Sequence, residues 1–253
     1  MKDLRAISAL ILREMTTTYG RNPGGYIWAI IEPVAALSLL TIVFSLFFRT
    51  PPLGDSFILF YATGYLPFMM YTEICGKISQ SIRYSRQLLF YPPINFMHAI
   101  IARATISIIT HIIIFSTIIT GMNFAFNLSL EPNYWYIVSA LTMAAALGIG
   151  VGSCNCLLST RYPVWDRIWS ILNRPAFIIA GVIFLIDDVP EPFKSYLWYN
   201  PIVQIIVVMR SGFYSYYDNN WVSYLYIYSI SLFLFVIGIL FLHRQHRFLL
   251  NNL

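Results

Sequence analysis

Charge is what this sequence has least of. Only 11% of its 253 residues are Asp, Glu, Lys or Arg, while 58% are hydrophobic and the mean hydropathy is +0.67. That much apolar surface exceeds what a soluble domain can bury, so the composition describes an integral, all-α membrane protein. Acidic residues are scarcer still, 11 against 16 basic ones. The resulting net charge of +5 is no sign of nucleic-acid binding, because basic residues in a membrane chain mark its cytoplasmic side. Cysteine is rare: Cys75, Cys154 and Cys156 lie in or beside apolar runs, and an odd number in such places excludes a disulfide framework. The chain has no G-x-x-x-x-G-K-[ST] loop, so it is not expected to hydrolyse ATP itself. It has no H-E-x-x-H, no G-x-S-x-G and no paired intramembrane carboxylates, so no enzyme constellation stands out. No cofactor and no metal site are expected on this chain. A cleaved signal peptide is not expected either, since Arg13-Glu14 interrupts the short apolar patch Ala9–Leu12.

What the chain does have is long apolar runs. Six are long enough to cross a bilayer, which takes about 20 residues each. They are placed at Ile27–Phe48, Phe57–Gly76, Ala99–Gly121, Tyr134–Leu158, Trp169–Ile186 and Trp221–Leu242. With the N-terminus inside, 13 of the 16 Lys and Arg fall on the cytoplasmic side, and only Arg49, Lys194 and Arg210 outside. That bias predicts an even number of spans with both termini cytoplasmic. Ile202–Met209 is too short to be a seventh span. Residues 189–219 read instead as an outer-face excursion of two short helices, with Pro190 and Pro192 ending the fifth span and Asn200-Pro201 marking a turn. An interfacial loop with aromatic anchors is the plainer alternative.

Residues 1–22 form an N-terminal amphipathic segment. Asp3–Tyr19 is drawn as a helix with Leu4, Ile7, Ile11 and Met15 on its apolar face, lying along the membrane surface. Asn22-Pro23-Gly24-Gly25 ends it, and Tyr26 and Trp28 suit the water–lipid boundary. Glu32-Pro33 then enters the first span, where a carboxylate and a kinking proline invite a functional explanation. Glu32 and Glu73, near the inner ends of their spans, have Arg21, Arg103 and Arg174 as candidate partners. The cytoplasmic loop 79–98 predicts a basic helix over Ser79–Phe90, stopped by Pro92-Pro93. Arg83, Arg86, Leu88, Leu89 and Phe90 on it want either a partner protein or the lipid headgroups.

The sharpest pattern lies in the second span. Phe57, Phe60, Tyr61, Tyr65, Phe68 and Tyr71 fall within an arc of roughly 140° at about 100° per residue. Aromatic rings stack on the C–H faces of sugars, and weak repeated sites let a polymer bind and still slide. The bland alternative is an aromatic face packed on neighbouring helices or lipid. Pro67 is placed to kink this span. His111, near the middle of the third span, is expected to stay neutral and to hydrogen-bond between helices. Ala144–Ala146, Gly148, Gly150, Gly152 and Ser153 offer the fourth span close contact with its neighbours.

Arg13-Glu14, Tyr19-Gly20, Gly25-Tyr26-Ile27-Trp28-Ala29 and Glu32-Pro33 resemble the permease subunit of bacterial ABC exporters of capsular polysaccharide, within a wider family of O-antigen and teichoic acid exporters. Leu197-Trp198-Tyr199-Asn200-Pro201 is similar to that family's outer re-entrant motif, and the likeness runs over nearly the whole chain. The resemblance implies a six-span permease with an N-terminal gate helix carrying Arg13 and Tyr19, a coupling helix in 79–98, and two re-entrant helices around Trp198, Asn200 and Pro201. It implies a second copy of the chain, two cytoplasmic ABC ATPase subunits holding ATP and Mg, envelope-spanning export proteins and a lipid-linked polysaccharide. It places the protein in the bacterial inner membrane. Alternatives are an exporter of O-antigen, teichoic acid or a drug. A glycolipid transferase would rest on Glu73, His98 and Asp166, and a secondary transporter on His111 and buried carboxylates.

Overall fold

In the computed structural model the described residues are 2–18, 25–88, 95–128 and 130–251, apart from the side chains of Lys2, Leu4, Thr18, Tyr26 and 246–251. They are helical, with turns between. The elements are α1 (Lys2–Thr18), α2 (Gly25–Phe47), α3 (Phe57–Ser79), α4 (Ser81–Tyr84), α5 (Phe96–Phe126), α6 (Tyr134–Arg161), α7 (Trp165–Ile179), α8 (Phe193–Trp198), α9 (Pro201–Ser211) and α10 (Tyr224–Asn251). A 3-10 turn, Ile186–Asp188, lies between α7 and α8.

Among the described residues four helices are long and apolar enough to cross a bilayer: α2, α5, α6 and α10. Two of the six expected spans look different. The 23 residues of α3 have the length, but its tyrosines, Pro67, Glu73 and Lys77 lower its hydropathy. The fifth expected span is a helix for only 15 residues, α7, about 22 Å at 1.5 Å per residue. Gly181 stops it by taking a left-handed φ of +74°, where a side chain would be strained. The chain then runs on without helix, burying Ala180, Val182, Leu185 and Ile186.

The core is built around α3. Sixteen of its residues are buried, and α2, α5, α6 and α9 pack around it. The glycines of α6 permit the closest approach. A Cβ at Gly148 would lie 3.0 Å from the Tyr71 carbonyl oxygen, and one at Gly152 2.9 Å from Cβ of Ile78. Gly150 meets the Ser231 carbonyl of α10 on the opposite face, so α6 is a small-residue slab between two helices. Caps set two starts. Asn133 accepts from the Trp135 N–H at 3.1 Å, and Asn200 accepts from the Ile202 N–H at 3.0 Å with Pro201 in the first turn of α9.

The expected helix over Ser79–Phe90 is shorter. α3 ends at Gln80, α4 makes a single turn, and residues 85–88 continue as turns. Side chains of α4 contact four other helices, α1, α5, α6 and α7. Leu89 and Phe90 lie outside the described residues, as do Tyr19 and the Asn22-Pro23-Gly24 break.

Candidate functional site

One end of the bundle gathers charged side chains of α1, α5 and α7 around α4 and its Tyr84. The guanidinium of Arg103, from α5, sits 4.1 Å from the Tyr84 ring centroid, and that of Arg13, from α1, sits 5.5 Å away. The Tyr84 hydroxyl shares a short hydrogen bond with Thr17 Oγ1 of α1. Arg103 also pairs with Glu14 of α1 at 3.1 Å, both side chains nearly buried, and donates to the Lys77 carbonyl at 2.8 Å. Arg83, the neighbour of Tyr84, forms a short ion pair with Asp166 near the start of α7. Trp165 anchors that start to α6 by donating to Asn155 Oδ1 at 3.0 Å. His98 at the foot of α5 faces Asp3 at 3.5 Å. The single turn α4 is therefore tied to α1, α5 and α7 at once.

These contacts revise several expectations. Arg103 pairs with Glu14, not with Glu32 or Glu73. Glu73 pairs with Lys77, one turn along its own helix, at 3.3 Å. The buried side of α1 carries Leu10 and Glu14, while Met15 and Leu12 are exposed. The buried Arg103 draws Glu14 inward, which leaves Ile7 and Ile11 half-buried and Met15 exposed. Arg83 turns inward to Asp166, and Arg86 and Leu88 are half-buried. His111 hydrogen-bonds within its own helix, Nδ1 to the Ser107 carbonyl at 2.8 Å, not between helices. Its Nε2 lies 3.9 Å from Glu73 of α3.

The aromatic face of α3 lies mostly inside the helix bundle. Phe60, Tyr61, Phe68 and Tyr71 are buried, and Phe57 and Tyr65 half-buried. Tyr61 packs on Phe44 of α2 with centroids 5.3 Å apart. Phe177 of α7 meets Phe68 edge-on at 5.4 Å and Tyr65 at 6.3 Å. The carboxylates of Glu32 and Glu73 both act electrostatically on the Tyr65 hydroxyl.

Around that half-open tyrosine the surface is unusual. Of the described side chains of α2, only Pro33 and Leu37 are buried, and Trp28 and Glu32 are exposed. No residue of α7 is buried, and Arg174 and Ile171 on it are open. Among the described residues Glu32 is in no ion pair. A carboxylate facing hydrocarbon costs about 2.5–3.5 kcal/mol or more. The faces of α2 and α7 are therefore suited to water or to protein.

The opposite end is held by a residue that the charge count hides. Arg210 of α9, read from sequence as one more outer charge, is 1% exposed. It donates to the carbonyls of Val182 and Phe184, each at 3.1 Å, and stacks 4.2 Å above the Phe60 ring centroid. Those carbonyls belong to the non-helical stretch after α7. Irregular backbone at membrane depth must find its hydrogen bonds in protein, and Arg210 supplies them. The isolated cationic residue at the end of an eight-residue apolar run was the available signal. Trp198 stacks on Trp221 at 5.4 Å, and Gln204 bonds to both the Trp198 carbonyl and the Ser223 N–H, fixing α8 and α9 against α10.

Residues 5–214 match the profile of the family described as ABC-2 type transporter. Polysialic acid transport protein KpsM of Escherichia coli is 26% identical over 247 residues, covering 97% of this chain and 95% of its own. Capsule polysaccharide export inner-membrane protein CtrC of Neisseria meningitidis is 26% identical over 245 residues, covering 93% and 89%. Capsule polysaccharide export inner-membrane protein BexB of Haemophilus influenzae is 23% identical over 214 residues, covering 83% and 79%.

Proposed function

The chain belongs to the ABC-2 type transporter family, and on that premise we propose that it is the permease subunit of an ATP-driven exporter of a lipid-linked capsular polysaccharide. Two copies assemble in the bacterial inner membrane, each with six spans and both termini in the cytoplasm. α3 serves as the second span, and α7 with the climb to Ile186 as the fifth. α1 lies in the inner interface as a gate helix, and α8 and α9 form the re-entrant pair of the outer leaflet. Two cytoplasmic ATPase subunits bind ATP and Mg, and envelope-spanning proteins receive the polymer.

The observation that supports this reading best is the uncovered pair α2 and α7. Exposed Glu32 acts on half-open Tyr65, and exposed Arg174 lies three residues before Phe177, which meets the Tyr65 ring, a combination that favours a hydrated path between two copies over a lipid face. Tyr65 and Phe57, with the rims of Phe68 and Phe177, offer aromatic surface to sugar rings, while Phe60, Tyr61 and Tyr71 hold the wall rigid behind them. Force from the ATPase enters through α4 and the following residues to Phe90. Tyr84 passes it to α1 and α5, and Arg83 to α7, so gate helix and path wall move together.

The test is gentle purification from native membrane with identification of what accompanies the chain. A soluble ATPase in one-to-one ratio supports the reading. A chain that is isolated alone and catalyses proton-driven flux in liposomes overturns it.

A further inference from the structure

The end of the bundle opposite Tyr84 carries a cavity of about 480 Å³, between the α5–α6 connection and the loop after α9. That volume is within the range of about 300–1,000 Å³ typical of small-ligand sites. Its lining includes Glu131, Tyr136, Tyr216, Tyr217, Asp218 and Asn219. The rim is braced by the Asn133 N–H donating to the Gly212 carbonyl at 2.8 Å.

The chemistry of the lining narrows the ligand. Three tyrosines offer flat apolar faces. Among the described residues neither Glu131 nor Asp218 is in an ion pair, so two carboxylates stand ready as hydrogen-bond acceptors. Asp218 uses Oδ1 to accept the Asn220 N–H at 2.9 Å, leaving its other oxygen. The Asn219 Nδ2 is buried and has no hydrogen-bond partner, a donor that a small rotation presents to a ligand. Aromatic faces beside acceptors of hydroxyl protons suit a sugar ring. Two unneutralised carboxylates repel an acidic one.

We propose that this pocket binds an uncharged, hydroxyl-rich sugar residue of the polymer as it leaves the outer end of the path. The site deepens the export reading and rests on it. Tyr217 gives the pocket a link to the path, because Arg210 and Asp187 both act electrostatically on its hydroxyl. Burial pushes its hydroxyl up to about 12, so it remains a proton donor at physiological pH. A bound sugar thus abuts the residue that sits beside the Arg210 clamp on the end of α7.

Saturation-transfer NMR on the full chain in nanodiscs tests this, with a panel of neutral disaccharides differing in hexose and acetamido content, and with digalacturonate. Transfer is expected to at least one neutral member and not to digalacturonate. Asp218→Ala and Tyr216→Ala, both at exposed loop positions, should each weaken that signal about two- to tenfold, the range of one lost hydrogen bond or stacking contact. Three outcomes overturn the proposal: no transfer to any neutral sugar, transfer unchanged in both variants, or stronger binding of a lysine-rich peptide, which would assign the pocket to a basic protein partner. The assay needs neither ATPase nor export. Failure of the export reading with binding intact is therefore distinguishable from failure of the pocket.

Discussion

α2 and α3 are both 23 residues long, and each contains a proline, yet they meet opposite fates. α2, in which Glu32 is the one charged residue, leaves almost all of itself uncovered. α3, with three tyrosines, two threonines, Glu73 and Lys77, lies at the centre of the bundle. Water sorts residues the other way, but lipid tails are as apolar as leucine and give no reward for hiding it. What is drawn inside is whatever packs closely or needs a polar partner: the glycines of α6, the rings of α3, Arg210 and the Arg103–Glu14 pair. A helix left outside is free to meet lipid, or, where it carries Glu32, a second copy.

The contrast can be broken from the buried side first. Arg210→Met removes the donors of two buried carbonyls and should cost about 3–5 kcal/mol, comparable to stripping one partner from a buried charged contact. A thermal aggregation assay in detergent should find little folded protein, whereas Leu39→Ala on exposed α2 should leave the midpoint unchanged. Gly152→Leu forces α6 off α3 and should cost about 1–3 kcal/mol by overpacking, read in the same assay. An unchanged midpoint for either buried substitution would mean that the helices are not packed in this way.

Substitutions at the junction sharpen the comparison, because they should move function more than folding. Tyr84→Ala leaves Arg103 paired with Glu14 but unties α4 from α1. Export should fall about tenfold, equivalent to about 1.4 kcal/mol of lost coupling, with the ATPase still bound on purification. If the ATPase is lost instead, Tyr84 belongs to the docking surface. The smallest effect on stability is expected for Glu32→Gln, within about 0.5 kcal/mol, while the export rate should change.

Much of this contrast was legible in the sequence. The small residues of α6, the two short helices after Pro192 and the turn at Asn200-Pro201 are local signals of spacing and turn chemistry, and each stands where those signals point. The one-sided rings of α3 were equally visible. Periodicity reports that residues share a face, but not whether the face looks into the protomer, and that depends on neighbours far along the chain. Arg210 was hidden for the same reason: the charge count assigns it a side of the membrane, whereas its role depends on carbonyls 26 and 28 residues earlier. The broken fifth span turns on Gly181, one residue inside an otherwise continuous apolar run. The rotation of α1 was hidden because the spacing of its apolar residues carries no sign of Arg103, far along the chain, whose pairing with Glu14 orients the helix.

The central claim is that α3 is closed within one protomer, while the faces of α2 and α7 line a hydrated path between two. It is tested most directly by labelling single cysteines with a membrane-impermeant, positively charged thiol reagent, in a background where Cys75, Cys154 and Cys156 are replaced. The account predicts fast labelling of Glu32→Cys and Arg174→Cys, slowed by the partner ATPase or by substrate, and none of Tyr61→Cys. Equal labelling at all three positions, or labelling of Tyr61→Cys alone, would contradict it.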